Sequence, residues 1–434
     1  MARSRSDRPL KPDERRLLAV LGVPTFTMAY ATTVVSTYLP VVARQFTHSA
    51  IAIGLILAGE GLTALVIPLL AGTWSDTLRA RGGSRLTFLL AGTPIAAGSL
   101  AVLGLVGTLA VMGVLVAVFF AGNFLSYEPY RALYPDLLAD EVAGRGQGTQ
   151  AVWRGAGTIT ALAGGGVLLS VWSNLPFLLG AGLEIAGAVL LALALPHVAK
   201  RAQGRALWPG RAELGKGAQD VLSRSRRLLA EHGELRVYLF ANLLWELSLG
   251  ALKTFIVLYV TRGLGRSLSA ASLIIGAVAV IILGGAIASG KLADRFGRIR
   301  VMGWGLWFYG GALTLLIFTH ATPVLIAAAP LIAFGGGLTM TLPYAILIPL
   351  MPEKGHGMLT GFYSLSRGLG VMLGPLLAGV AIDVLSPAFS STHGYAAMWI
   401  VSAGAILASI PVLWRLGADV EPEGRRRREA TSPG

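Results

Sequence analysis

Gly290-Lys291-Leu292-Ala293-Asp294-Arg295-Phe296-Gly297-Arg298-Ile299-Arg300 is a charged turn set between two long apolar runs. A shorter version, Gly72-Thr73-Trp74-Ser75-Asp76, stands in the first half with Arg79, Arg81 and Arg85 behind it. Both keep the spacing Gly-x-x-x-Asp, at an offset of 218 residues. Further matches lie at nearly the same distance. Pro129-Tyr130 corresponds to Pro343-Tyr344 and Pro135 to Pro349 at 214, and Arg154-Gly155-x-Gly157 corresponds to Arg367-Gly368-x-Gly370 at 213. The chain therefore reads as a duplication whose halves run in the same direction.

The surroundings of those turns identify the solvent. Of 434 residues, 54% are hydrophobic and 13% are charged, against about 25% charged in a soluble domain. So little charge cannot cover so apolar a core in water. A span needs roughly 20 mostly apolar residues. By that measure the first half holds six, Leu17–Val42, Ile51–Ala71, Leu86–Val106, Leu109–Leu133, Gln150–Val171 and Leu175–Leu195. The second half holds six more, Leu235–Val260, Ala270–Ser289, Val301–Phe318, Pro323–Leu350, Leu359–Val384 and Ala396–Leu416. The expected fold is all-α, with twelve transmembrane helices in two six-helix bundles related by a pseudo-two-fold axis. The expected organisation is a segment 1–16, a bundle 17–199, a linker 200–234, a bundle 235–416 and a basic tail 417–434 with Arg425 to Arg428.

Charge placement gives the orientation. With the N-terminus inside, the basic stretches Arg79–Arg85, Lys200–Arg227, Lys291–Arg300 and Arg425–Arg428 all fall on the cytoplasmic side, and the opposite loops carry little charge. The net charge of +14 is thus a topology signal rather than a nucleic-acid surface. The expected location is the cell membrane, multi-pass, with both termini cytoplasmic and no cleaved leader. The chain has no cysteine, which excludes disulfides and thiolate chemistry. The histidines fall in loops or at span ends, and no metal spacing, nucleophile elbow or phosphate loop occurs. An enzyme, a metal and a cofactor are not expected. The expected partners are a small-molecule substrate, protons and the lipid bilayer, with the chain acting as a monomer.

The turns, the twelve spans and the central linker resemble the major facilitator superfamily over essentially the whole chain. Gly59-x-Gly61-Leu62-x-x-Leu65-Val66-x-Pro68-x-x-x-Gly72-x-x-Ser75-Asp76 is similar to the second span of sucrose:proton symporter-like proteins. Pro129-Tyr130-Arg131-Ala132-Leu133-x-Pro135-Asp136-Leu137 is similar to the fourth-span signature of that branch and of glycoside–pentoside–hexuronide:cation symporters. Two departures stand out: the turn after Asp76 lacks the branch's dense arginine run, and Ile67 replaces its polar residue before Pro68. The resemblance implies a transporter that uses alternating access on a sugar-like solute. The alternative is drug:proton export, for which Gly370-x-x-x-Gly374-Pro375 resembles an exporter string displaced to the eleventh span.

Site residues follow from where charge sits. Gly72, Asp76, Arg79, Gly290, Asp294, Arg295, Gly297 and Arg298 form the expected cytoplasmic gate, with the repeat-matched Arg154 and Arg367. The resemblance implies that Asp76 lies near the start of the eleventh span and Asp294 near the start of the fifth, each carboxylate facing free N–H groups at a helix end. Gly72 and Gly290 are expected to permit close helix approach, and Gly297 to make a tight turn with positive φ. An ionisable residue at a helix centre costs about 2.5–3.5 kcal/mol to insert, so Glu60, Glu128, Arg131, Glu184, Glu246 and Lys253 need reasons. Glu60, Arg131 and Glu246 break the repeat, since their counterparts are Val278, Ala345 and Met28. A carboxylate shielded from water takes up a proton readily, which makes Glu60 and Glu246 the proton-coupling candidates. Tyr30, Asn123, Tyr127, Arg131, Asn242, Trp245, Lys253 and Tyr344 are the substrate-cavity candidates, on spans that line the cavity in the superfamily. Glu128 and Arg131 are expected to pair at a spacing of three, and Glu246 and Lys253 to face a common polar space. Tyr38 and Trp414 are read as interfacial anchors, and Glu184 as facing lipid.

Overall fold

A computed structural model of the chain describes residues 10–138, 140–198, 233–350 and 356–420. Most of the linker, the Arg425–Arg428 cluster and the extreme N-terminus lie outside them. Among the described residues there are twelve long helices and no strand. They are α1 (Pro12–Ala43), α2 (Ala50–Ala80), α3 (Leu86–Leu103), α4 (Leu109–Arg131), α5 (Asp140–Val171) and α6 (Leu175–Val198), then α7 (Gly233–Leu258), α8 (Leu268–Phe296), α9 (Arg298–Phe318), α10 (Thr322–Leu347), α11 (His356–Val384) and α12 (Met398–Val420). Among the described residues, eleven are long and apolar enough to cross a membrane. The exception is α5, whose apolar part begins only after Arg154 and is diluted by five glycines from Gly155 to Gly166.

Several helices outrun their apolar cores. The expected span Ile51–Ala71 is part of a helix that continues to Ala80, and Gln150–Val171 is preceded by ten further helical residues. Apolarity marks contact with lipid, whereas the hydrogen-bonded ladder continues into water. The turn at Gly297 separates α8 from α9 with φ +90°, a conformation that glycine adopts without strain.

The chain divides into two compact units. One is Met1–Leu39 with Val66–Asp220; the other is Pro40–Leu65 with Val221–Gly434. The border falls near the end of α1, in the middle of α2 and in the linker, so that the first half of α2, Ala50–Leu65, belongs to the second unit.

In the first unit, α3 packs on α4 and α6. Leu17, Leu18, Leu21 and Met28 of α1 meet Leu89, Tyr130, Leu133, Tyr134, Leu191 and Leu195 in a buried cluster. The Tyr130 hydroxyl donates to the Leu21 carbonyl, and the Tyr134 hydroxyl does so at 2.9 Å. Tyr38, expected at the interface, is fully buried and donates to the Leu162 carbonyl. The carbonyl consumes the hydroxyl that an interfacial tyrosine would give to water. Trp414 is exposed.

In the second unit, α7 packs chiefly on α11 and α12, α9 on α10 and α12, and α8 on α10. The duplication is visible in the packing. A Cβ on Gly157 would strike the Phe26 carbonyl of α1; one on Gly370 would strike the Leu243 carbonyl of α7. The same offset of 213 residues thus yields the same close approach, α5 to α1 and α11 to α7.

Candidate functional site

The second unit is built on α11, which has two small faces. Gly370 and Gly374 face α7, where a Cβ would strike the carbonyls of Leu243 and Leu247. Gly368, Pro375 and Gly379 face the first half of α2. A Cβ on Gly54 would strike the Pro375 carbonyl, one on Gly61 would strike Gly368 and Met372, and one on Gly379 would strike Ala50. The exporter-like string Gly370–Pro375 therefore serves helix packing on both sides, as small residues do in membrane bundles.

This seating brings Glu60 of α2 to Lys253 of α7. The Lys253 Nζ lies 2.8 Å and 2.9 Å from the two carboxylate oxygens. The glutamate side chain is 10% exposed and the lysine 35%. An ammonium that open, inside the apolar part of a spanning helix, faces a polar space, because hydrocarbon would not solvate it. Removing the lysine would leave the covered carboxylate without its compensating charge. Two turns earlier along α7, Glu246 pairs with Arg367 of α11 at 3.5 Å. Glu246 and Lys253, expected to share one polar space, thus take separate partners from α11 and α2.

The other cavity candidates of this unit divide. Asn242 is fully buried and donates to the Ser366 hydroxyl at 2.8 Å. Trp245 is also fully buried, and its indole N–H donates to Ser409 of α12 at 2.9 Å, which fixes it as a core residue. Tyr344 is exposed and sits edge-on to Tyr363 at 5.8 Å.

At the far end of the same seam, Asp383 of α11 reaches the start of α2. Its carboxylate accepts from the Ser49 hydroxyl at 2.7 Å, from the Ala50 N–H at 2.8 Å and from the Ile51 N–H at 3.0 Å. The Ser49 oxygen in turn accepts from the Ala52 N–H at 3.2 Å. The free N–H groups of a helix start are thereby satisfied, by charge-assisted bonds worth about 1.5–3 kcal/mol each. Beside this contact is a cavity of about 360 Å³ lined in part by Arg44, His48, His393 and Tyr395. No feature of the sequence reading had drawn attention to Asp383.

In the first unit the repeated turn is organised by Arg85 at the start of α3. Its guanidinium contacts Asp76 at 2.7 Å, Asp136 at 2.9 Å and the Ser75 hydroxyl at 2.7 Å. Arg79 adds a 3.5 Å contact to Asp136. Arg85 is 9% exposed and Asp76 72%, so the arginine is the buried hub and the aspartate its solvent-facing arm. Arg85 and Asp136 were missed as site residues, although a signal existed. Arg298, which donates to the Ala345 carbonyl of α10 at 2.7 Å, stands 213 residues after Arg85. Each arginine stands at the start of the third helix of its half; Arg298 ties it to the fourth, and Arg85 ties it to Asp136, just beyond the end of the fourth.

Asp294 and Arg295 are exposed, as is Arg154. The expected approaches of Asp76 to the start of α11 and of Asp294 to the start of α5 fall on side chains outside the described residues. Gly72 and Gly290 do not mediate close helix approach: a Cβ on either would meet open space. Whatever favours glycine there is not packing within the described residues.

Glu128 and Arg131 pair at 3.7 Å, and the guanidinium lies 5.5 Å from the Tyr127 ring centre. Tyr30 is buried, and its hydroxyl has no hydrogen-bond partner among the described residues. Glu184 does not face lipid. It is buried at 3% exposure and accepts from the Asn123 amide at 3.2 Å, with its second oxygen unpartnered among the described residues. A carboxyl group finds an amide only on the inner face of its helix, and that preference overrides the apolar character of α6.

Residues 238–433 match the model of the Major Facilitator Superfamily. Among curated proteins, the chain is 31% identical to Multidrug resistance protein 3 of Bacillus subtilis (strain 168) over 109 residues, 25% of this chain and 21% of that one. It is 27% identical over 140 residues to the uncharacterized MFS-type transporter YttB of the same organism, 32% of this chain and 33% of that one. The matched region thus spans a third or less of each relative. Among solved structures, a bacterial homolog to the human lysosomal transporter Spinster, inward-facing and occupied, superposes with TM-score 0.76 at 14% identity, over 96% of this chain and 99% of that one. The nucleoside transporter NupG superposes with TM-score 0.71 at 13% identity, over 92% and 98%. The fold is the twelve-helix major facilitator fold, and the chain is an integral membrane protein of many spans.

Proposed function

We propose that this protein is a secondary transporter that moves a small polar, sugar-like solute in step with a proton, with Glu60 and Lys253 as the coupling pair. The observation that carries the reading is the chelated ion pair between two apolar helices, its carboxylate covered and its ammonium open. Glu60 can hold a proton only at the expense of that pair. Once protonated, it frees Lys253 to be satisfied by oxygen atoms of the solute. The empty carrier returns with the pair re-formed, so that neither charge crosses the membrane uncompensated. Glu246 with Arg367 is a second place for a proton on the same face of α7. Tyr127, Arg131 and Tyr344 supply aromatic and cationic surface, and the bundles 17–199 and 235–416 rock about the linker 200–234. Both termini are cytoplasmic, and the carrier works as a monomer.

The test begins with a thermal-shift screen of sugars, nucleosides and lipophilic cations at acidic and neutral pH. The stabilising compound is then followed in proteoliposomes. Glu60→Gln keeps binding and solute exchange but loses accumulation against a gradient when a pH difference is imposed. Full pH-driven accumulation by both Glu60→Gln and Glu246→Gln rejects the coupling assignment.

The relative named Multidrug resistance protein 3 favours a second reading, drug:proton antiport. There, protonation and release of a lipophilic cation alternate at the same acids. Expulsion of ethidium from energised cells, with no stabilisation by any sugar, selects this reading.

A further inference from the structure

Asp383 stands where the duplication fails. Ser49 caps α2, and its counterpart at offset 218, Ser267, caps α8 by accepting from the Ala270 N–H at 3.2 Å. The two helix starts are therefore equivalent in their own chemistry. At the start of α2 the Asp383 carboxylate of α11 is added to the serine cap. The residue 213 positions before Asp383 is Ser170, whose hydroxyl is turned back onto the Val167 carbonyl. The acid is thus an addition to the serine cap that both helix starts share.

The contact also has the right partners for a reversible hold. Apart from Asp383, the seam between the first half of α2 and α11 includes close backbone approaches at Gly54, Gly61 and Gly379, with Met372 and Leu65 lying against glycines, and such small-residue contacts let membrane helices part with little repacking. The hydroxyl and two N–H groups that hold Asp383 sit at the rim, beside a cavity lined by Arg44, His48 and His393. Water and those cationic or polar groups can solvate the carboxylate once it lets go.

We infer that Asp383 is a gating residue: in this conformation it locks the first half of α2 onto α11 at the end remote from Asp76, and it releases α2 when that end opens. The inference rests on the transport reading for its purpose, though not for its measurement. Release exposes the small face of α2 and lengthens the distance between Glu60 and its partner on α7, so the lock also guards the coupling pair.

The chain lacks cysteine, so single cysteines report without background. One is placed at Ala58, buried between Gly54 and Gly61 on the seam face, and a control at Ala271, buried near the start of α8. Both are reacted with a charged maleimide in the full-length reconstituted protein, with no solute present. Asp383→Asn is expected to speed labelling at Ala58→Cys about tenfold, the effect of losing roughly one charge-assisted bond, and to leave Ala271→Cys unchanged. Ser49→Ala, which removes one of the three bonds, speeds it less and serves if Asp383→Asn does not fold. An unchanged rate at Ala58→Cys in whichever of these variants folds overturns the assignment, and so does an equal rise at both positions, which marks general loosening. Because the assay needs no solute, its failure is distinct from that of the transport reading, which Glu60→Gln tests.

Discussion

At the scale of the residue, Arg85 shows how one buried guanidinium orders a turn. It reaches Asp76, Asp136 and Ser75 at once, a task its planar fork performs and an ammonium does not. Arg85→Ala is expected to lower stability by about 3 kcal/mol, because Asp136 loses its short partner. Arg85→Lys keeps the charge and recovers less than half. Thermal unfolding of the purified protein measures both, and equal midpoints for Arg85→Lys and the parent rule out the hub. Asp76 stands out through its spacing in the repeat, and Arg85 follows in the same turn. Sequence spacing identified the motif but not its centre, because burial decides the centre and a charged residue after a turn carries no mark of burial. Glu184 and Tyr38 were misread for the same reason. Both are polar groups on apolar helices, and which way they face depends on a partner from another helix, Asn123 or Leu162.

At the scale of the element, glycines in α2 and α8 divide into two kinds. Gly61 lies against Gly368 and Met372, while Gly72 and Gly290 have open space around them. Gly61→Ala is expected to cost about 1–3 kcal/mol through overpacking, and to loosen the neighbouring Glu60–Lys253 pair. Gly290→Ala is expected to add about 0.5–1 kcal/mol, the ordinary gain of alanine in a helix interior. A thermal midpoint that falls for Gly290→Ala and holds for Gly61→Ala reverses the division. The existence and order of the helices could be read from apolar length alone, since a bilayer admits little else. The partners of those helices could not. Glu60 and Lys253 were each singled out, yet they lie 193 residues apart, and their meeting depends on two separate glycine faces of α11.

At the scale of the whole molecule, the distribution of lysine and arginine predicts sidedness. A cysteine at Thr319, in the short connection between α9 and α10, is expected to react with a membrane-impermeant maleimide in intact cells. One at Gln203, in the basic segment, is expected to react only after permeabilisation. The opposite pattern inverts the topology and with it the meaning of both turns. The duplication was legible from the charged turns and a few dipeptides, and it recurs in the matched approaches of Gly157 and Gly370. The places where the halves differ, Glu60, Arg131, Glu246 and Asp383, were only partly legible, because a repeat shows which residue is unmatched and not which unmatched residue has found a partner.

The border between the two compact units falls within the basic linker and also within α1 and α2, so that Pro40–Leu65 belongs with the second half of the chain. A chain cut within 200–234 would therefore yield two polypeptides that are not self-sufficient. The amino-terminal piece would carry Ala50–Leu65 with its glycine face bare and Glu60 without a counter-ion, and the carboxy-terminal piece would carry Lys253 and Asp383 with nothing to hold. Expressed singly, each is a substrate for membrane quality control; expressed together, they have a shared helix to recognise each other by, and they should survive as a complementing pair.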